Sequence, residues 1–245
     1  MSRIQSLVSV IIPVFNCRQF IGEALDSVLQ QSLPVYEIIV VDDGSTDGTG
    51  EVVKKYLSGI TYIRQKNQGI GQARNVGIMN ARGNFIAHLD ADDIWTRDKL
   101  ELQMKAFLRD SGLDIVGAYM ESFFTPGLQK DLKNTIYCPS EPLPSFSPSA
   151  IVVKRQAYHR VGWYETHWEV GQDLNWFIRA REQGLKEGMV PRMLVRRRLH
   201  SCNSGIIKRS EGIARVRILK EALDRKRNAA ACGGRSHPEG RKKGE

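Results

Sequence analysis

The chain has 245 residues, 36 Lys and Arg against 27 Asp and Glu, a net charge of +9, and 41% apolar residues. That composition describes an ordinary globular protein with enough apolar material for its own core, and it excludes a collagen, a coiled coil or a wholly disordered chain. No apolar run reaches the roughly 18 residues of a membrane span, the start MSRIQS lacks a basic segment followed by an apolar run, and Cys17, Cys138, Cys202 and Cys232 form no CxxC pair, so a cytosolic chain without a disulfide framework or zinc cluster is expected.

From residue 7 onward, short β-branched runs alternate with longer amphipathic stretches, which predicts repeated βα units around a parallel sheet. Residues 7–14 (LVSVIIPV) read as a buried strand, and 18–31 as a helix with Ile21, Leu25, Val28 and Leu29 on one face. Residues 36–41 form a second strand running into Asp42-Asp43-Gly44-Ser45, and Asp47 caps a helix through residue 57. Strand 60–64, helix 72–81 and strand 84–89 follow, the last ending in Asp90-Ala91-Asp92-Asp93. A helix over 97–108 and a strand over 114–121 lead to a long loop, 124–149, that holds five of the nine prolines. Then come a strand over 150–153, a short helix, the aromatic segment 162–165, a helix opening at Gly171-Gln172-Asp173 and a basic amphipathic helix over 206–223. From Arg225 the apolar content nearly vanishes and disorder is expected, so the organisation predicted is one domain over 1–224 with a basic tail over 225–245.

Three segments carry chemistry. Asp42 and Asp43 stand at the carboxyl end of a buried strand, where open α/β sheets bind ligands. A carboxylate there accepts hydrogen bonds from a base or a ribose, although the same residues also suit a plain turn with helix caps. Asp90 and Asp92 are alternate residues at another strand end and converge on one side. Their charge suits an Mg²⁺ or Mn²⁺ ion, or alternatively an acidic helix start. NQGIGQARN over 67–75 is a glycine-containing helix entry with Arg74, suited to a phosphate or a base, or to a flexible helix start alone.

In order along the chain, VSVIIPVFN, IIVVDDGSTDGT, NQGIGQARNVGI and AHLDADD resemble glycosyltransferase family 2, closely over 6–95 and more loosely to about residue 200. The resemblance implies the GT-A fold, an α/β, Rossmann-like, mostly parallel central sheet flanked by helices. The nucleotide-sugar-binding part would be 6–95, the acceptor-side and catalytic part 96–205, and a basic helix 206–224. Pro13 and Phe15 would line the base pocket, Asp42, or Asp43 beside it, would contact a uracil-type base, and Arg74 would hold the nucleotide. Asp90 would contact the ribose or the metal, Ala91 would lie in the same nucleotide-sugar site, and Asp92 would ligate the divalent cation bridging the diphosphate. The family opens a later helix with a catalytic carboxylate, commonly in a Glu-Asp pair; Asp173 stands in that place as the base, and Gln172 departs from the Glu, which bears on an acceptor contact. Arg196-Arg197-Arg198-Leu199-His200 with Asn203 resembles a basic segment over the donor diphosphate, with Arg198 on the diphosphate and His200 as an extra metal ligand; a solvated basic strand is the plain alternative. Trp163, Tyr164 and Trp168 serve either as sugar-stacking rings or as core.

The activity so implied is inverting transfer from a nucleotide-diphosphate sugar, a UDP-sugar being commonest in the family, to a hydroxyl of a glycan, lipid-linked or other acceptor. Three rivals stand beside it. A polyprenyl phosphate acceptor at the membrane needs no general base. The other two are a non-catalytic nucleotide-sugar binder and a nucleic-acid binder, the last unaccompanied by any zinc-finger, RNA-recognition or helix-turn-helix signature. Residues 208–245 hold twelve basic and five acidic residues, so +7 of the +9 lies there and +2 in the preceding 207. The polyanion signal therefore belongs to the terminal segment, which either touches a membrane or a partner protein or has no role, and not to the strand ends.

Overall fold

The computed structural model describes residues 7–128, 136–201, 203 and 211–233, with side chains in the last segment described over 213–228. The expectations for residues 1–6, 129–135, 202, 204–210 and 234–245 lie outside those residues.

Strands β1 (Val8–Val14), β2 (Glu37–Asp42), β3 (Thr61–Arg64) and β4 (Phe85–His88) lie parallel in the order β3-β2-β1-β4. Both faces of β1 are covered, which is why it reads as an unbroken apolar run instead of an alternation. Val10, Ile12 and Val14 meet Ile21, Leu25 and Val28 of helix α1 (Ile21–Leu29) on one face. Short α2 (Thr49–Val53) follows β2, and Asp47 accepts the Thr49 N–H at 2.9 Å, close to the cap expected of it. On the other face Ile11, Ile39 and Val41 meet Ala73 and Ile78 of α3 (Ile70–Asn80). The approach is so close that a Cβ on Gly77 would lie 2.3 Å from Ile11 Cγ2.

Beyond β4 the sheet turns mixed. Strands β5 (Ile94–Trp95), β6 (Ile115–Phe124), β7 (Leu143–Ser145), β8 (Val152–Lys154) and β9 (Glu187–Leu199) extend it as β4-β8-β6-β9-β5, with β7 on β6. β8 runs antiparallel to β4 and β6, β9 parallel to β6, and β5 antiparallel to β9. Helices α4 (Lys99–Arg109), α5 (Arg155–Val161) and α6 (Gln172–Glu182) flank it, and α7 (Glu211–Gly233) packs on α6.

Three elements depart from expectation. β9 carries Pro191, which reads as a strand breaker; Val190 pairs with Ala118 and Met193 with Tyr119, so Pro191 and Arg192 bulge out of the ladder, where a missing N–H costs nothing. The segment expected as a loop over 124–149 contains β7, whose Pro144 is tolerated because it lies off the main path of the sheet, and a buried turn at Pro148–Ala150. Finally, α7 continues to Gly233, so residues 225–233 are helical and not the disordered tail expected. Arg, Lys and Ala are good helix formers without being apolar, and Arg225 is held by Glu182 at 3.0 Å.

The core buries the amine of a lysine. Lys99 is 0% exposed, its Nζ donates to Gln103 Oε1 at 2.8 Å, and it lies 4.0 Å from the centre of the Trp95 ring. Burial holds its pKa well below the ordinary lysine value of 10.5. Over the interval between the two values the unfolded chain binds a proton that the folded chain does not. Stability measured against Lys99→Met is therefore expected to rise with pH across that interval, by up to ~1.4 kcal/mol per pH unit, as urea unfolding of both proteins at a series of pH values from about 7 upward would read. A pH-independent difference would mean that the amine stays charged in the core.

Candidate active site

The carboxyl ends of β1, β2 and β4 form one rim. Asp42, 1% exposed, accepts the Ser45 N–H at 2.7 Å on Oδ1 and the Tyr62 hydroxyl at 2.5 Å on Oδ2. Asp43, 3% exposed, accepts from Gln65 Nε2 at 2.7 Å and from the N–H groups of Gln68 and Gly69, each at 2.8 Å. Both carboxylates thus hold the loops that lead into α2 and α3. Pro13 is buried within β1, whereas the Phe15 ring is half exposed on the rim and open to a flat ligand. Asn16, which the sequence reading missed, ties the two loops: its N–H donates to Ser45 Oγ at 2.9 Å, and its Oδ1 accepts the Thr46 N–H at 2.8 Å. Its backbone φ of 49° is the only hint of a special role, and that is invisible in sequence.

The second acidic cluster is held by cations and amides. Arg74, buried on α3, donates to Asp90 Oδ1 at 2.8 Å and lies 5.6 Å from the centre of the Tyr164 ring. Tyr164 is itself fastened at both backbone atoms by the Asn75 side chain, at 2.8 and 3.0 Å. Ala91 is buried between the acids. Asp92 Oδ2 lies 2.8 Å from His200 Nε2 and accepts from Asn203 Nδ2 at 2.9 Å. Asp93 accepts the Arg198 N–H at 3.2 Å, and burial, reinforced by Asp92 and Asp90, pushes its carboxyl pKa well above the usual range.

Of the three consecutive arginines, only Arg197 faces the cleft. Arg196 pairs with Glu121 at 3.1 Å. Arg198 is 5% exposed: its Nη2 reaches Glu23 at 2.6 Å, its Nε donates to the Asp92 carbonyl at 3.1 Å, and its guanidinium lies 4.7 Å from the Phe20 ring centre and 4.9 Å from that of Phe123. It therefore braces the Asp92 loop, a task that Glu23 and Phe20 share and that no local motif announces.

A cleft of about 420 Å³ is lined by Asp90, Asp93, Asp173, Leu174, Arg197 and Arg215, among others. Asp173 sits in the first turn of α6, where the helix dipole favours a carboxylate. The N-cap is Gly171, with φ of 83°, and a Cβ there would meet Ile218 Cδ1 of α7 at 2.7 Å, so glycine is required by both conformation and space. Gln172 turns inward: it is 4% exposed, its Cγ would lie 3.3 Å from a Cβ on Gly71, and its amide donates to the Trp168 carbonyl, which an ionised glutamate could not do. Tyr164 is core, while Trp163 is 39% exposed.

Asp90 and Asp92 are the residues that would offer ligands to a divalent cation, with substrate phosphates completing its shell. Among the described residues no group of three or more His, Cys, Asp and Glu is arranged to hold a metal. Asp90 Oδ2 and Asp92 Oδ1 accept no hydrogen bond among those residues, which leaves two hard oxygens, the number Mg²⁺ or Mn²⁺ takes from protein when phosphates complete its shell. His200, as placed, orients Asp92.

The family model of glycosyl transferase family 2 matches residues 9–167. The chain belongs to glycosyl transferase family 2. Curated relatives include glycosyltransferase GlyA of Streptococcus pneumoniae, 37% identical over 115 residues (46% of this chain, 16% of that one), and chondroitin synthase of Escherichia coli, 37% identical over 113 residues (45% and 16%). The chain spans less than half the length of the curated relatives it matches. Among solved structures, S. aureus TarS 1-349 in complex with UDP-GlcNAc superposes with a TM-score of 0.65 at 22% identity, covering 80% of this chain and 60% of that one. That likeness confirms the expected GT-A fold of this glycosyl transferase family 2 chain, with its Rossmann-like half at β1–β4.

Proposed function

We propose that this chain transfers a sugar from a nucleotide-diphosphate sugar, a UDP-sugar, to an acceptor hydroxyl with inversion at the anomeric carbon and with the help of a divalent cation. The observation that carries the reading is the cleft in which Asp173 stands with Asp90 and Arg197. Asp173 takes the proton from the acceptor hydroxyl; the new bond forms between that oxygen and the anomeric carbon as the bond to the diphosphate breaks and its electrons leave with the diphosphate. Arg197 offers its charge to the leaving group. Arg74 and Asp90, fixed to each other at 2.8 Å, and the Phe15 ring hold the nucleoside end. Asp90 and Asp92 would hold the cation, which would supply Lewis acidity to the departing diphosphate.

The choice of UDP rests on the likeness to TarS, which was crystallised with UDP and with UDP-GlcNAc. The acceptor class, a glycan, lipid-linked or other hydroxyl compound, is the one that relatives such as chondroitin synthase suggest. An acidic rim disfavours nucleic acid. A cytosolic location belongs to the same reading; among the described residues no helix is long and apolar enough to cross a membrane. Screening nucleotide sugars for thermal stabilisation with and without Mn²⁺, followed by nucleoside diphosphate release with candidate acceptors, tests the reading. Stabilisation by a UDP-sugar that depends on Mn²⁺ is expected, and a flat response across the panel would sink it.

A further inference from the structure

Helix α7 has two contrasting faces. Inward, Ile218 and Ala222 are 0% and 6% exposed, Ile218 rests against Gly171, and Arg225 is tied to Glu182 at 3.0 Å. Outward, Ile213, Val216, Leu219 and Leu223 are 61%, 67%, 51% and 56% exposed. At about 100° per residue these four fall within an arc of roughly 120°, an apolar stripe that Lys220 interrupts and not scattered surface residues. Cations stand within and beside it: Lys220 inside the arc, Arg227 on the same face one turn beyond Leu223, Arg217 on one side and Lys226 on the other, with the acid Asp224, 3.9 Å from Arg227, at its edge.

We propose that the outer face of α7 seats this protein on an anionic membrane surface, the helix lying in the plane of the headgroups. The stripe sinks among the acyl chains while the flanking Lys and Arg meet lipid phosphates. A second copy is the poorer occupant, because a self-complementary pairing of this face would bring two sets of Lys220, Lys226 and Arg227 charges into one interface. The same helix lends Arg215 to the cleft wall, so seating α7 brings the cleft beside the lipid. None of this depends on the transfer reaction, because binding alone tests it.

The full chain is mixed with phosphatidylcholine vesicles that contain or lack phosphatidylglycerol, and bound protein is measured by co-sedimentation. Binding to the anionic vesicles only is expected, falling roughly tenfold in Leu219→Ser/Leu223→Ser and in Lys220→Gln/Lys226→Gln, and falling also as salt rises. All four positions are exposed, so unchanged circular dichroism should accompany the losses. No binding to anionic vesicles, binding indifferent to both double variants, or a dimer in sedimentation velocity that Leu219→Ser/Leu223→Ser dissolves would each overturn the proposal.

Discussion

Asp173→Asn is expected to lower the rate of sugar transfer by about 10²- to 10⁴-fold, the usual worth of a positioned general base, while nucleotide affinity stays within about twofold. The substitution keeps shape and polarity and removes only the capacity to take a proton. Asp173 is partly exposed in the first turn of α6, and its backbone is fixed by Gly171 and the inward-turned Gln172, so asparagine meets the same neighbours. The loss should therefore appear in kcat at unchanged melting temperature. An Asp173→Asn protein as active as the wild type would refute the assignment. Full activity of that variant on a polyprenyl phosphate would point instead to an acceptor that arrives already ionised.

The second large effect is expected at Asp92. Asp92→Ala should abolish the part of nucleotide-sugar binding that depends on Mn²⁺, as titration calorimetry with and without the ion would show; an unchanged affinity in Mn²⁺ would remove Asp92 from the site. Asp92 lies where β4 gives way to β5, and its Oδ2 fastens His200 and Asn203. Alanine thus removes both a donor oxygen and the anchor of the segment after β9. Asp92→Asn separates the two contributions: it keeps a side chain of the same shape for His200 and Asn203 to meet while discarding the charge, and it should still lose the ion-dependent binding.

The parallel half of the sheet was legible because its strands are buried on both faces and so read as apolar runs punctuated by Asp and Gly. The acidic strand ends followed from that frame. The mixed half was not: β9 is interrupted by Pro191 and studded with arginines, so neither alternation nor an apolar run marks it, and its pairing with β6 spans more than sixty residues of sequence. For the same reason Arg198 reads as a diphosphate ligand when seen beside two other arginines, whereas its pairing with Glu23, 175 residues away, turns it into a brace and leaves Arg197 in the cleft. Gln172 was legible as a departure but not as a solution, because its partner is the Trp168 carbonyl rather than a substrate.

The boundary of the family match at residue 167 falls across the cleft: Asp90 and Asp93 lie before it, and Asp173 and Arg197 after it. The two sides are joined by the β6–β9 ladder, from Ile115 with Glu187 to Phe124 with Leu199, by Arg198 bound to Glu23, and by Asp92 bound to His200 and Asn203. Substitutions in β9 are therefore felt at the Asp92 loop, so the part of the chain beyond the family match does not vary independently of the part within it.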